Sequence, residues 1–493
     1  MESGHVAISP ALTQVGAGAA CAHLRSRTNV RRLKKAQRRV PAVGAASAPT
    51  SERTTPLDGL CISARNGGTS TRPKTMNPII WTQRKHFGAL DWARDHHDVV
   101  VVDQHGAVVS ELRFEHTADG WQTMRQAMRA FEPLAIAVET RNGLAVEQLL
   151  AAGYTVYPVN PKSAQRYRER KSPSGVKDDR RDAWSLADAL RLDGHGWKPL
   201  DKEDAVLAEL RLLTRDEVLL IEQRTALINQ LQAALHDYYP AALEAFADWT
   251  RPGAWAFVET FPTPHELVRA GRRRWQHFLH ANKIWREATE QSRLEIFQRA
   301  EALQGSPPTV AAKSLLAVSL VKMLRVLETQ LEAYRTRIEE CFGRHPDHDL
   351  FGSLPGAGSK LAPRLLSEIG DERARFETAE GLQAYAGTAP LTIKSGQMEK
   401  HRVRFACSPN LRAAVHHWAN HSRQGCAWAQ SYYQAHRDKG HSHACALRCL
   451  GQRWLKILWK MWQTRTTYNE ALHTRNQIKH GSWLLALQPQ KST

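Results

Sequence analysis

Five short apolar runs within residues 86–159 limit what this chain can fold into: "HFGALDWA", "DVVVVD", "AVVSELRF", "LAIAVE" and "YTVYPV". Each is too short for a buried helix, and several are dense in β-branched residues, the pattern of strands. Gln104-His105-Gly106 marks a turn between the second and third runs. Helical stretches fall between the later runs. One covers Asp119 to Phe131, and "GLAVEQLLAAG" is amphipathic and ends at Gly153. Pro161 then opens the basic helix "KSAQRYRERK", and a further helix is expected from about Asp178 to Leu190. The order of three strands, helix, strand, helix, strand and then helices predicts an α/β domain with a mixed sheet over residues 84–200.

The rest of the chain is helical in pattern. Residues 203–240 and 310–342 carry apolar residues at three-and-four spacing with charges between them. They are expected to pair as an antiparallel coiled coil, with 241–309 inserted, so that 201–345 forms a helical spacer and oligomerisation region. Residues 346–470 make a mostly α-helical unit that opens on "LPGAGSKLAPRLLSEIGD". There Pro355, Gly356 and Gly358 set a tight turn of helix-hairpin-helix type, and the helix after it presents Leu361, Leu365, Leu366 and Ile369. Such a turn offers backbone N–H groups to a DNA phosphate. Residues 471–493 read as a tail.

Residues 1–80 are rich in Ala, Ser, Arg, Gly and Thr without hydrophobic period and are expected to be disordered. An Arg- and Ser-rich, acid-poor leader also resembles an organelle transit peptide. The preferred account is a start placed upstream of the true one, because ordered sequence begins near Met76.

A formal net charge of +19 favours a polyanionic partner, most simply nucleic acid. Residues 394–465 hold 13 Lys and Arg against Glu399 and Asp438, interleaved with Trp418, Trp428, Trp454, Trp459 and Trp462. No apolar run is long enough to span a membrane. The seven cysteines have no paired spacing and read as free thiols of a reducing compartment. His441, Cys445 and Cys449 fall at i, i+4, i+8, a stripe that can help bind zinc, although small helix-packing residues are the preferred reading.

The acidic residues of the first domain carry the chemistry. Asp91 closes the first strand and Glu139 closes "LAIAVE", at the sheet edge where α/β folds build sites. In "GVKDDRRDAWSLADAL", Asp179 and Asp182 are i, i+3, while Asp178 and Asp182 are i, i+4, and spacing alone does not choose between the pairs. Together with Asp91 and Glu139, such a pair makes a hard-oxygen cage suited to Mg²⁺ or Mn²⁺ and to phosphoryl transfer. Taken singly, each acid is more simply a structural one.

"ALDWA", "AVETRNG" and "KDDRRDA", followed by "LPGAGSKLAPRLLSEIGD", "RFETAEGLQAYAGTAPLTIKSG" and "NLRAAVHHWA", resemble the IS110 family of transposases over residues 84–465. The resemblance implies a RuvC-like, RNase H-like α/β domain whose metal tetrad is Asp91, Glu139, Asp179 and Asp182. Asp178 then stands where the family has threonine or serine, which suits an N-cap. It also implies that Ser395 attacks a DNA phosphate and forms a phosphoserine link. Implied partners are DNA at element ends and target, a structured guide RNA, and further copies of the chain. The implied setting is the bacterial cytoplasm, at the nucleoid. Lys162, Arg166, Arg170 and Lys177 flank the tetrad and are the expected nucleic-acid contacts. Two other functions compete: a RuvC-like structure-selective endonuclease that needs no serine, and an inactive nucleic-acid-binding remnant.

Overall fold

A computed structural model describes residues 81–171, 179–200, 204–396 and 398–481. Expectations for the leader, for Lys177 and Asp178, and for the last twelve residues lie outside these.

The five apolar runs form one mixed sheet in the order β3-β2-β1-β4-β5. Its strands are β1 (His86–Trp92), β2 (His96–Asp103), β3 (Val108–Glu115), β4 (Ala135–Val138) and β5 (Thr155–Pro158). The first three run antiparallel as a meander, and β4 and β5 add to β1 in parallel. Helices α1 (Ala118–Met128) and α2 (Leu144–Ala151) supply the crossovers and cover one face, where Leu90, Val99, Ile136 and Val138 meet Trp121, Met124 and Leu149. The opposite face, with Phe87, Ala89, Val100 and Ala137, is covered by α3 (Pro161–Lys171) and α4 (Asp179–Asp193). Helix α4 turns Ala183, Leu186, Ala187 and Leu190 inward, and its two alanines let it lie close to the strands.

Beyond the sheet, α5 (Ala205–Tyr238) leads into a compact insert of α6 (Pro240–Ala245), α7 (Pro252–Thr260), α8 (Pro264–Ala281) and α9 (Glu287–Gln298). The chain returns along α10 (Pro307–Gly343). Ion pairs fix the direction of α10 against α5: Arg337 with Glu209, Arg224 with Glu328 at 2.8 Å, and Lys313 with Asp237 at 2.8 Å. The partner numbers fall on one helix as they rise on the other, so the pair is antiparallel. On its outer side α10 exposes Leu315, Leu316, Met323 and Val326, and α5 exposes Leu212 and Leu219.

The C-terminal region contains α11 (His348–Gly352), α12 (Gly358–Ile369), α13 (Ala379–Tyr385), the hairpin β6 (Leu391–Ser395) and β7 (Met398–Arg402), α14 (Pro409–Gly425), α15 (Ala427–Asp438), α16 (His443–Thr464) and α17 (Glu470–Lys479). Four of the five tryptophans expected among the basic residues, Trp418, Trp428, Trp454 and Trp462, are fully buried and form its core. Trp459 is partly buried and donates to Phe376 O at 2.9 Å. These rings therefore pack the helices and leave the basic side chains to face outward.

Gly356 shows why the turn before α12 needs glycine: a Cβ there would lie 2.5 Å from Ser422 N in α14. Trp418 Nε1 donates to Pro355 O at 3.0 Å and pins the same turn, while Gly358, Ser359 and Lys360 at the start of α12 stay exposed.

Buried charge joins α12 to the long helices. Arg215 makes a two-pronged contact with Glu368 at 2.7 and 3.1 Å, and Glu217, 2% exposed, accepts from Arg364 at 2.6 Å with Arg335 at 3.6 Å. Removing Glu217 takes the buried counter-charge from Arg364, while Arg335 keeps Glu328 and Glu332 at 3.3 and 3.2 Å, a change that costs about 3 kcal/mol. Glu217→Ala is therefore expected to lower unfolding stability by that order in a denaturant titration; a loss below about 1 kcal/mol would mean the network contributes little.

Candidate active site

Strand alternation places the acids. On β1, Phe87, Ala89 and Asp91 share the α4 face; on β2, Asp98, Val100 and Val102 do. Asp91 and Asp98 are directly opposite in the antiparallel ladder, where side chains sit about 5 Å apart and like charges repel. Glu139 follows β4 in phase with Ala135 and Ala137, on the same face. From above, the first turn of α4 brings Asp179 and Asp182. Asp182 is 6% exposed and lies on the same stripe as Ala183 and Leu186, a place a carboxylate occupies only with a partner.

That partner comes from α3. Arg168 Nη1 donates to Glu139 Oε1 at 2.6 Å and stands 3.4 Å from Asp182 Oδ2, so one guanidinium bridges the two acids. Asp98 is gripped by Arg113 of β3, Nε and Nη2 lying 2.9 and 2.8 Å from its two oxygens. Ligand-type atoms of His96, Asp98 and Asp179 lie within 4.8 Å of one another. The four expected acids are thus gathered at one end of the sheet, with Asp98 and His96 added.

The expected basic contacts divide. Lys162, Arg166 and Arg170 are exposed along α3, whereas Arg168 turns inward. Ser395 lies elsewhere, at the end of β6 where it pairs with Met398 across the hairpin tip. Gly396 there has φ +56°, which lets the chain reverse. Every described residue of both hairpin strands is exposed, Ile393 and Met398 included, and the strands are tied to each other by Thr392 to His401 at 3.1 Å and Lys394 to Glu399 at 3.0 Å. Arg168 and Arg113, which hold Glu139, Asp182 and Asp98, belong to the sheet domain, and Ser395 pairs within its own hairpin.

The residues fit a divalent ion. Two carboxylates and an imidazole, Asp98, Asp179 and His96, come within ligand distance of one another, and the Arg168 guanidinium marks a place where positive charge between Glu139 and Asp182 is favourable. A sheet edge with this grouping beside a basic helical region suits a protein that acts on the phosphates of nucleic acid.

Comparison with known proteins gives the family. Residues 89–240 match the DEDD transposase model of IS110 elements, and residues 348–434 match the model described as transposase IS116/IS110/IS902 family. The IS117 mini-circle protein of Streptomyces coelicolor is 33% identical over 78% of this chain and 95% of its own length. The IS116 element protein of Streptomyces clavuligerus is 26% identical over 80% and 98%, and that of IS900 from Mycobacterium paratuberculosis is 29% identical over 67% and 82%. The chain belongs to the IS110 family of insertion-sequence transposases. It is a DNA transposase, and its family implies a divalent metal. Among the described residues, no helix is long and apolar enough to cross a membrane.

Proposed function

We propose that this transposase cuts and rejoins DNA strands with a DEDD metal site of Asp91, Glu139, Asp179 and Asp182 on an RNase H-like domain, and with Ser395 as nucleophile. The observation that carries the metal site is the convergence of these acids, with Asp98, on one face and one end of a mixed sheet. Mg²⁺ or Mn²⁺ held by these carboxylates would draw charge from a phosphodiester and open it to attack. Asp182, buried and bridged through Arg168 to Glu139, is held in place between α3 and α4. Ser395 Oγ forms a bond to phosphorus as the bond to one deoxyribose oxygen breaks, and the serine proton leaves with that oxygen. The number of phosphate esters is unchanged, so the reverse step reseals a strand without ATP.

The acids and Ser395 lie in different parts of the chain, and assembly on DNA has to bring them together. An oligomer serves this, and the exposed apolar residues of α5 and α10 are the surface through which copies would pair as a coiled-coil spacer. In this division, residues 84–200 cut, 201–345 space and join copies, and 346–470 deliver the serine. A structured guide RNA is the second nucleic acid the family resemblance implies.

Lys162, Arg166 and Arg170 form an exposed basic edge beside the acids, suited to phosphates. Changing all three to Gln should flatten the slope of log Kd against log salt by roughly 2 to 3. An unchanged slope would place the backbone contacts elsewhere. The metal reading is tested with purified protein and labelled element-end DNA. Cleavage should occur with Mg²⁺ or Mn²⁺, stop on chelation and return when the ion is restored. Cleavage that survives chelation would overturn it.

A further inference from the structure

Outside the carboxylate site, one cluster of ligand-type side chains stands at the junction of α15 and α16. His436 ends the last turn of α15, and Gly440, at φ +81°, reverses the chain. Ser442 caps α16 by accepting from Cys445 N at 3.3 Å, so the helix begins at His443 and His441 lies in the turn. The expected one-helix stripe therefore does not form. In its place, the turn folds His441 back onto His436, with their Nδ1 atoms 3.0 Å apart and their rings 5.0 Å apart. Ligand atoms of His436, His441 and Cys449 lie within 4.8 Å of one another, and the thiol of Cys445, one helical turn before Cys449, hydrogen-bonds to it. All four residues are half-buried.

Two imidazoles and two thiols are the donor set of tetrahedral zinc sites, and the set offers no carboxylate oxygen to favour Mg²⁺. The charge balance agrees. Arg437, Lys439, Arg448 and Arg453, with Asp438 as the one acid, surround the cluster in sequence, and a dication neutralised by two thiolates adds no net charge to them. We propose that His436, His441, Cys445 and Cys449 bind a structural zinc-class ion that staples α15 to α16. On binding, each cysteine gives up its proton to solvent and bonds through sulfur, while each histidine bonds through its unprotonated ring nitrogen. Both thiols bind as thiolates, so uptake of the ion releases protons. The staple fixes the turn from Lys439 to Ser442 and with it the aim of the surrounding basic side chains.

The full-length chain, purified without chelator or affinity metal, is assayed for zinc by elemental mass spectrometry and then stripped and titrated with Co²⁺. About one zinc per chain is expected, with a thiolate-to-cobalt charge-transfer band on titration. Cys449→Ser and His436→Asn should each weaken Zn²⁺ binding on the order of 100-fold or more and abolish the band or shift it, while Cys341→Ser, buried in the core but outside the cluster, should bind as the parent does. Stripping should lower the melting temperature of the parent but leave that of Cys449→Ser unchanged. A parent chain that carries no zinc and gives no charge-transfer band, or a Cys449→Ser chain that binds Zn²⁺ like the parent, overturns the proposal. So does a Cys445–Cys449 disulfide in the protein as isolated under reducing conditions.

Discussion

Asp182→Ala should abolish strand cleavage, with a fall on the order of 10³-fold or more, equivalent to about 4 kcal/mol of barrier. The expectation rests on placement. Of the five acids only Asp182 and Asp98 are buried, at 6% and 7% exposed, and Asp182 has Arg168 3.4 Å away. Its removal deletes a proposed metal ligand and takes from Arg168 the carboxylate 3.4 Å away, leaving its 2.6 Å contact with Glu139. Asp179→Ala should behave alike, because Asp179 shares its helical turn and faces Asp98 and His96. Asp178→Ser should keep most activity. The measurement is the initial rate of nicking of labelled element-end DNA at saturating Mg²⁺, with folding checked by circular dichroism. An Asp182→Ala enzyme within tenfold of the parent would remove the carboxylates from the mechanism, and a dead Asp178→Ser would show that the register of the tetrad is wrong.

Ser395→Ala is the second change with a large expected effect. It should eliminate strand joining and the covalent protein–DNA product while leaving DNA binding and stability unchanged. Ser395 lies at the exposed tip of a hairpin and carries no packing, so its loss has no structural cost to confuse the result. Alanine keeps the strand but removes the hydroxyl proposed to bond to phosphorus. Restoring a hydroxyl with Ser395→Thr tests the same point from the other side, since its extra methyl crowds attack but leaves the nucleophile.

Much of the architecture was legible in the sequence because it is written in local periodicity. Short β-branched runs with turn residues between them specify five strands, and three-and-four spacing specifies the long helices. Asp91 and Glu139 were visible because each closes an apolar run. Asp98 was missed for a topological reason: it opens "DVVVVD", and only the antiparallel pairing of β2 with β1 brings a strand's beginning to the edge where β1 ends. Arg168 was hidden among five basic residues of one helix. The signal that could have found it is Ala164, fully buried four residues earlier, which marks the inward face. The tryptophans of the C-terminal helices looked like partners of the basic residues, but their neighbours in space are one another: Trp454 packs 5.0 Å from Trp418 and 4.6 Å from Trp428. His436 escaped notice because it lies on the helix before the cysteines, and a stripe drawn along one helix cannot include a residue that arrives through a turn. Ser395 has no local signature at all, since a serine before glycine in a hairpin is ordinary turn chemistry.

The most direct test of a metal-assisted serine recombinase is the fate of the labelled strand after denaturation. Parent protein, Mg²⁺ and element-end DNA labelled at the cleaved phosphate should yield label bound covalently to protein, and after digestion that label should map to the peptide containing Ser395. The adduct should vanish in Ser395→Ala and in Asp182→Ala. Free nicked DNA in undiminished yield from Ser395→Ala, with no labelled peptide from the parent, would contradict the account and leave a water-using nuclease in its place.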